Sequence, residues 1–272
     1  MAVSNQQREG ATQLAFFTLA CAFHDTERLL DRTLPLAIRS LTQPTRHEFE
    51  VILVADRSTS EAASRLLPRL DEYGVDELRF RRTNRHSFPG LGSNNFHANN
   101  FPCHRPYLIS FTDDSFIWKT DEAFDVLDAM AGIFQRHPEV TLINKVDDHA
   151  EWDTPLIDLG PEIEPGVRSV NRAIDQLIAY DTQRFAPVAR QFGAWERRTY
   201  GGDMGFDYQW ESLVSHVATS CGRKIARPED WPLRVQHCDL RPDGSMHGTK
   251  DEDVKLKCFD SLRRSHGLDK HS

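Results

Sequence analysis

The stretch Pro106-Tyr-Leu-Ile-Ser-Phe-Thr-Asp-Asp-Ser115 constrains the fold more than any other part of the chain. Tyr107, Leu108, Ile109 and Phe111 lead, with no charge between them, into two adjacent carboxylates, Asp113 and Asp114. A short apolar run bounded by proline predicts a buried strand. Carboxylates at its C-terminal end fall in the crevice where open α/β sheets hold ligands. Such a place suits a hard metal ion and a phosphate.

The chain before it repeats the pattern. Gln13 to Phe23 (QLAFFTLACAF) is apolar almost throughout, which suits a central parallel strand covered on both faces, and His24 and Asp25 follow. From Thr26, leucines at 29, 30, 34, 36 and 41 with Ile38 predict a helix. Asp25 or Thr26 caps it, and Pro35 kinks it or delays its start. Glu48 to Asp56 (EFEVILVAD) reads as a second strand ending in a carboxylate. Ser60 and Glu61 open a helix that runs to Tyr73, and Glu77 to Arg82 is a short strand. Residues 83–100 begin as a glycine- and asparagine-rich loop, Pro89 to Asn95. Strands alternating with helices imply a mostly parallel sheet with right-handed crossovers. Its crevice collects His24, Asp25, Asp56, Asn84, Asp113 and Asp114.

The second half is less regular. Phe124, Leu127, Met130, Ile133 and Phe134 mark one face of a helix over 120–137, and Pro138 ends it. Val140 to Val146 is a strand. Residues 147–168 turn acidic, with proline and glycine, and read as a mobile segment or an excursion over the active face. Residues 171–180 form a helix or a strand, 208–221 a helix, and Arg223 to Ala226 a short strand. Val235 to Cys238 is a strand end that contains His237, and a polar tail follows from Asp239.

A net charge of −8 argues against a dedicated nucleic-acid binder, whose surface must neutralise phosphates. The first residues are polar, and the longest apolar run is too short to span a bilayer, so no transmembrane segment and a cytoplasmic location are expected. Five widely spaced cysteines without a C-x-x-C motif fit reduced thiols.

The order of these pieces resembles the family 2 glycosyltransferases and their GT-A fold, over roughly residues 13 to 240. Ser40-Leu-Thr-Gln43 followed by Phe49 to Thr59 is similar to that family's first strands and loop. Asn84, Gly90 and Asn94-Asn95 resemble its asparagine loop, and Tyr107 to Ser115 its strand ending in a D-x-D metal motif. Gly202-Asp203 through Asp207, then Gly222 to Ile225 and His237, resemble its C-terminal signature. There are departures: Ala55 and Arg57 stand where the family has an acid and a glycine, Ser115 replaces the second acid of D-x-D, and Phe206-Asp207 replaces its acid pair.

The resemblance implies an α/β, GT-A, Rossmann-like and mostly parallel central sheet flanked by helices. It implies a single domain: an N-terminal tail at 1–12, a nucleotide-sugar half at 13–119, an acceptor-binding and catalytic half at 120–240, and a C-terminal tail at 241–272. It implies a metal-dependent hexosyltransferase that moves a sugar from a nucleotide-diphospho-sugar, UDP-linked by preference, to a soluble acceptor hydroxyl. His24, Asp56, Asn84, Asn95 and Asp113 would meet the donor; Asp113, Asp114 and His237 would hold Mn²⁺ or Mg²⁺; Asp207 or Asp203 would be the general base. The acceptor would be a small molecule, glycan or peptide, and a homodimer is left open. Because side chains alternate along a strand, one of Asp113 and Asp114 would take the metal and the other a sugar or ribose hydroxyl. Each residue also has a plain structural use: Asp207 as a helix cap, Asn84 and Asn95 as turn formers, Trp195, Trp210 and Trp231 as core rather than sugar platforms.

Two other classes stay in view. A nucleotidyltransferase uses this kind of sheet, although the glycine-rich basic loop it needs after the first strand is His24-Asp25-Thr26 here. A non-catalytic glycan- or nucleotide-binding protein on a degenerate fold would account for Ala55 and Ser115.

Overall fold

The computed structural model describes residues 12–23, 27–56, 64–81, 105–145, 159–173, 176–187, 218–237 and 252–268. Its first strand, β1 (Phe16–Phe23), is central: Phe17, Thr18, Leu19, Ala20 and Cys21 are all buried, as an apolar run without alternation requires. Helix α1 (Glu27–Thr42) follows and runs through Pro35, so the proline does not delay its start. Leu29, Leu30, Thr33, Leu34, Ala37 and Leu41 recur at three- and four-residue steps and form its buried face. Glu27 and Arg39 sit at the ends that favour their charges.

Strand β2 (Glu48–Asp56) pairs parallel with β1 on one side and with β3 (Glu77–Arg81) on the other. Strand β4 (Tyr107–Thr112) is buried at every position and lies parallel to β1 on its far side. A two-residue turn, Asp113-Asp114, leads into β5 (Ser115–Lys119). The sequence pattern did not predict β5, because the acids read as the end of the strand. Helix α2 (Val126–Arg136) begins where the Asp125 carboxylate accepts from Asp128 N at 3.0 Å, later than its apolar pattern predicts. Strand β6 (Val140–Asn144) follows.

The stretch read as an acidic excursion contains β7 (Leu159–Glu164), which pairs antiparallel with β8 (Val167–Val170) around a turn at Gly166, whose φ is 74°. Strand β9 (Leu177–Asp181) decides between helix and strand for its segment, and β10 (Lys224–Pro228) and β11 (Leu233–His237) follow. Helix α3 (Glu252–Ser265) lies within the polar stretch after 241.

The main sheet has the order β3-β2-β1-β4-β9-β6-β10-β8-β7, and β11 pairs with β5 in a separate two-stranded sheet. Reading the pairings across, β9 and β8 run against the other seven strands, so the sheet is mostly parallel, as expected. Strand β9 is wedged antiparallel between β4 and β6.

Helix α3 packs on α1 and β5. Phe259 is fully buried against Phe116 at 5.1 Å, edge to face, and Leu36, Leu262 and Leu268 close the cluster. Arg28–Asp253 and Arg32–Asp260 bridge the two helices at the surface, where such pairs contribute little. Among the described residues, no helix is long and apolar enough to cross a membrane.

Candidate active site

The parallel strands deliver their C-terminal ends to one edge of the sheet. Phe23 is level with Ala55, and Ala22 with Thr112, so the chain leaves β1, β2 and β4 side by side. Asp56 ends β2 and Asp113 follows β4, two strand spacings or about 10 Å apart. His24 comes directly after β1.

At this edge the acidic turn is held from three sides. Thr33 Oγ1, from α1, donates to the Asp113 carbonyl at 2.5 Å. Ser115 Oγ donates to the Gln176 carbonyl at 3.2 Å. With that hydrogen committed, its 2.8 Å contact with Thr112 Oγ1 is one in which Thr112 donates. Ser115, the residue in place of the second family acid, is therefore occupied in closing the turn. Leu177 adds a second tie, because its carbonyl accepts from Asn144 Nδ2 at 3.0 Å and from Lys145 N at 3.1 Å. The same edge carries a buried lysine, Lys145, directly after β6.

Asp113 and Asp114 are 2% and 7% exposed. Both belong to a turn, so the alternation expected of strand neighbours does not govern which way they face. Two adjacent carboxylates out of water need compensation. Lys255 of α3 supplies it to Asp114: Nζ lies 2.6 Å from Oδ2. The acids make themselves felt below the turn as well. The Cys21 thiol is pushed well above its ordinary range, first by complete burial and then by the charges of Asp113 and Asp114.

Hard divalent cations prefer carboxylate oxygens. The turn offers two, and its negative charge has already drawn an ammonium, so the donor set suits Mg²⁺ or Mn²⁺. Among the described residues no third histidine, cysteine or carboxylate joins Asp113 and Asp114 in a metal-holding cluster. His237 is paired with Ser115 across the small sheet, which brings its backbone beside the turn.

Of the residues singled out in the sequence, Asp113, Asp114, the end of β2 at Asp56 and the end of β11 at His237 converge on this edge. His24, Asn84, Asn95, Asp203 and Asp207 lie outside the described residues. Trp231 packs on Phe124 at 5.5 Å and belongs to the core margin. Sequence reasoning missed Thr33, Lys145 and Lys255. Only Lys255 left a local trace: with Phe259 and Leu262 it falls on a four- and three-residue step, the spacing of one helical face.

The fold is a GT-A-like glycosyltransferase fold. GalNAc-T7, solved with UDP, GalNAc and Mn²⁺, is similar in structure with a TM-score of 0.52 at 15% identity, covering 93% of this chain and 48% of that one. A UDP-glucose pyrophosphorylase complexed with UDP-glucose gives a TM-score of 0.50 at 11% identity, over 93% of this chain and 100% of that one. The mannosyltransferase PcManGT from Pyrobaculum calidifontis, in complex with GDP-Man and Mn²⁺, gives 0.45 at 16% identity, over 81% of this chain. The chain spans 56% of the length of that mannosyltransferase and 36% of that of TarS from S. aureus. No protein-family model and no curated protein matches the sequence.

Proposed function

We propose that the chain is a metal-dependent glycosyltransferase acting in the cytoplasm, moving a hexose from a nucleotide-diphospho-sugar, UDP-linked by preference, to the hydroxyl of a soluble acceptor. The observation that carries this reading is the buried, cation-compensated acidic turn after β4, beside the ends of β1 and β2. The likeness in fold to a protein solved with UDP, GalNAc and Mn²⁺ supports it.

In this reading Asp56 accepts hydrogen bonds from the base or ribose, with His24, Asn84 and Asn95 lining the same donor pocket. Asp113, Asp114 and His237 hold Mn²⁺ or Mg²⁺. When bound, the ion neutralises the diphosphate and makes it a better leaving group. Asp207, or Asp203 in its place, takes the proton from the acceptor hydroxyl opposite the departing phosphate. The buried turn keeps water from the carboxylates and fixes their position through Thr33 and Ser115 before the donor arrives. The acceptor is a small molecule, glycan or peptide.

Calorimetry with UDP, with and without Mn²⁺, tests the reading: metal should tighten nucleotide binding, and equal affinities would remove the metal-dependent transfer. A second reading is favoured by one observation, the likeness to a UDP-glucose pyrophosphorylase over that protein's whole length. A nucleotidyltransferase would release pyrophosphate from a nucleoside triphosphate and a sugar phosphate. A glycosyltransferase would release a nucleoside diphosphate from a sugar donor.

A further inference from the structure

Lys255 reaches the acidic turn from α3, far along the chain, and meets Asp114 at 2.6 Å with both side chains largely out of water. The helix is fastened elsewhere. Phe259, one turn further on, is locked into Phe116 and Trp118, and Asp260 meets Arg32. The anchor does not depend on the ammonium. Lysine carries its charge on a flexible four-carbon stem, so the ammonium can leave the carboxylate while the helix stays docked.

An ion bound to Asp114 and an ammonium bound to the same carboxylate are two cations in one low-dielectric place. Their repulsion is not screened there as it is in water. We propose that Lys255 is the built-in counter-cation of the acidic turn and that a divalent ion taken up at Asp114 displaces it, so metal and ammonium are alternative occupants of one carboxylate. The proposal rests on the metal reading given above. Before metal arrives, Lys255 balances Asp114 and keeps the turn folded. Metal uptake is weaker for this competition and exposes the ammonium.

The test uses the full chain and Mn²⁺ alone, without nucleotide. Isothermal titration should give about tenfold tighter Mn²⁺ binding for Lys255→Met than for the wild type, since removing one partner of a buried pair leaves a carboxylate in need of a cation. Lys255→Arg should stay near wild type, and the double variant Asp114→Asn with Lys255→Met should lose the gain. In the wild type, saturating Mn²⁺ should raise acetylation of Lys255 by an amine-reactive reagent several-fold, read by peptide mass spectrometry. That second measurement needs no variant, so it decides the matter even if Lys255→Met does not fold. Lys255 labelling unchanged at saturating Mn²⁺ overturns the proposal, as does a Lys255→Met protein that binds Mn²⁺ no tighter than wild type. If the wild type binds Mn²⁺ neither alone nor with UDP, the metal reading falls together with it. If Mn²⁺ binds and Lys255 does not move, the competition alone is wrong.

Discussion

Thr33 Oγ1 donates a 2.5 Å hydrogen bond to the Asp113 carbonyl, tying the buried face of α1 to the turn that carries the site's acids. Thr33→Val keeps the shape and removes the donor. The expected loss is about 1–2 kcal/mol, read as a lower urea midpoint at unchanged m-value. Thr33→Ser, which keeps the hydroxyl, should recover most of it. An unaltered midpoint for Thr33→Val would mean that the turn is held without this bond.

Glu164 ties β7 to the end of α2. Its oxygens meet Arg136 at 2.8 and 3.0 Å and His137 at 2.7 Å. Burial raises its pKa, but the hydrogen bonds from Arg136 and His137 outweigh burial and hold it below its ordinary value of 4.5. A carboxylate depressed on folding stabilises the protein above its unfolded pKa, and that contribution is lost as pH falls through the folded value. Glu164→Gln should therefore cost about 1 kcal/mol at neutral pH and progressively less once the solution is strongly acid. Denaturation at neutral and at strongly acid pH checks this; an equal loss at both would mean that shape, not charge, matters here.

Phe259 fills the space between β5 and α3. Phe259→Ala should cost about 3–5 kcal/mol, and Phe259→Leu less than about 1.5 kcal/mol. Thermal denaturation gives the size of the loss, and limited proteolysis locates it. Cleavage should begin within 252–268.

The assignment of the general base predicts a split between binding and turnover. Asp207→Asn should lower turnover by about 10²–10⁴ while leaving UDP affinity intact. Asp113→Ala should lose the Mn²⁺-dependent part of UDP binding. If Asp203→Asn produces the loss of turnover and Asp207→Asn does not, the base is Asp203.

The strands that lead to the site were legible because they are buried on both faces. β1 and β4 are almost wholly apolar, β2 carries the buried apolar run Val51 to Val54, and each strand ends at or just before a polar residue. Helix α2 was legible from its periodicity, and its start was misjudged because Asp125 caps it inside the apolar pattern. What the sequence could not reveal is contact between distant segments. Nothing local to Ser115–Lys119 announces that it pairs with Leu233–His237, and nothing near Asp114 announces a lysine from the last helix. The hairpin of β7 and β8 was hidden for the opposite reason: β7 is largely exposed, so its side chains lack the apolar alternation that marks a half-buried strand.

The wedge of β9 between β4 and β6 bears on how the chain is made. Strand β4 pairs with β1 and β9, while β6 pairs with β9 and β10. As the chain leaves the ribosome, one border of β4 and both borders of β6 wait bare until residues 177–181 and then 224–228 emerge. Distant pairing of this kind slows folding and leaves strand borders open to other chains. A polypeptide truncated before residue 177 should therefore aggregate through β4 and β6, and the late segment 177–181 is the stitch that turns two half-sheets into one.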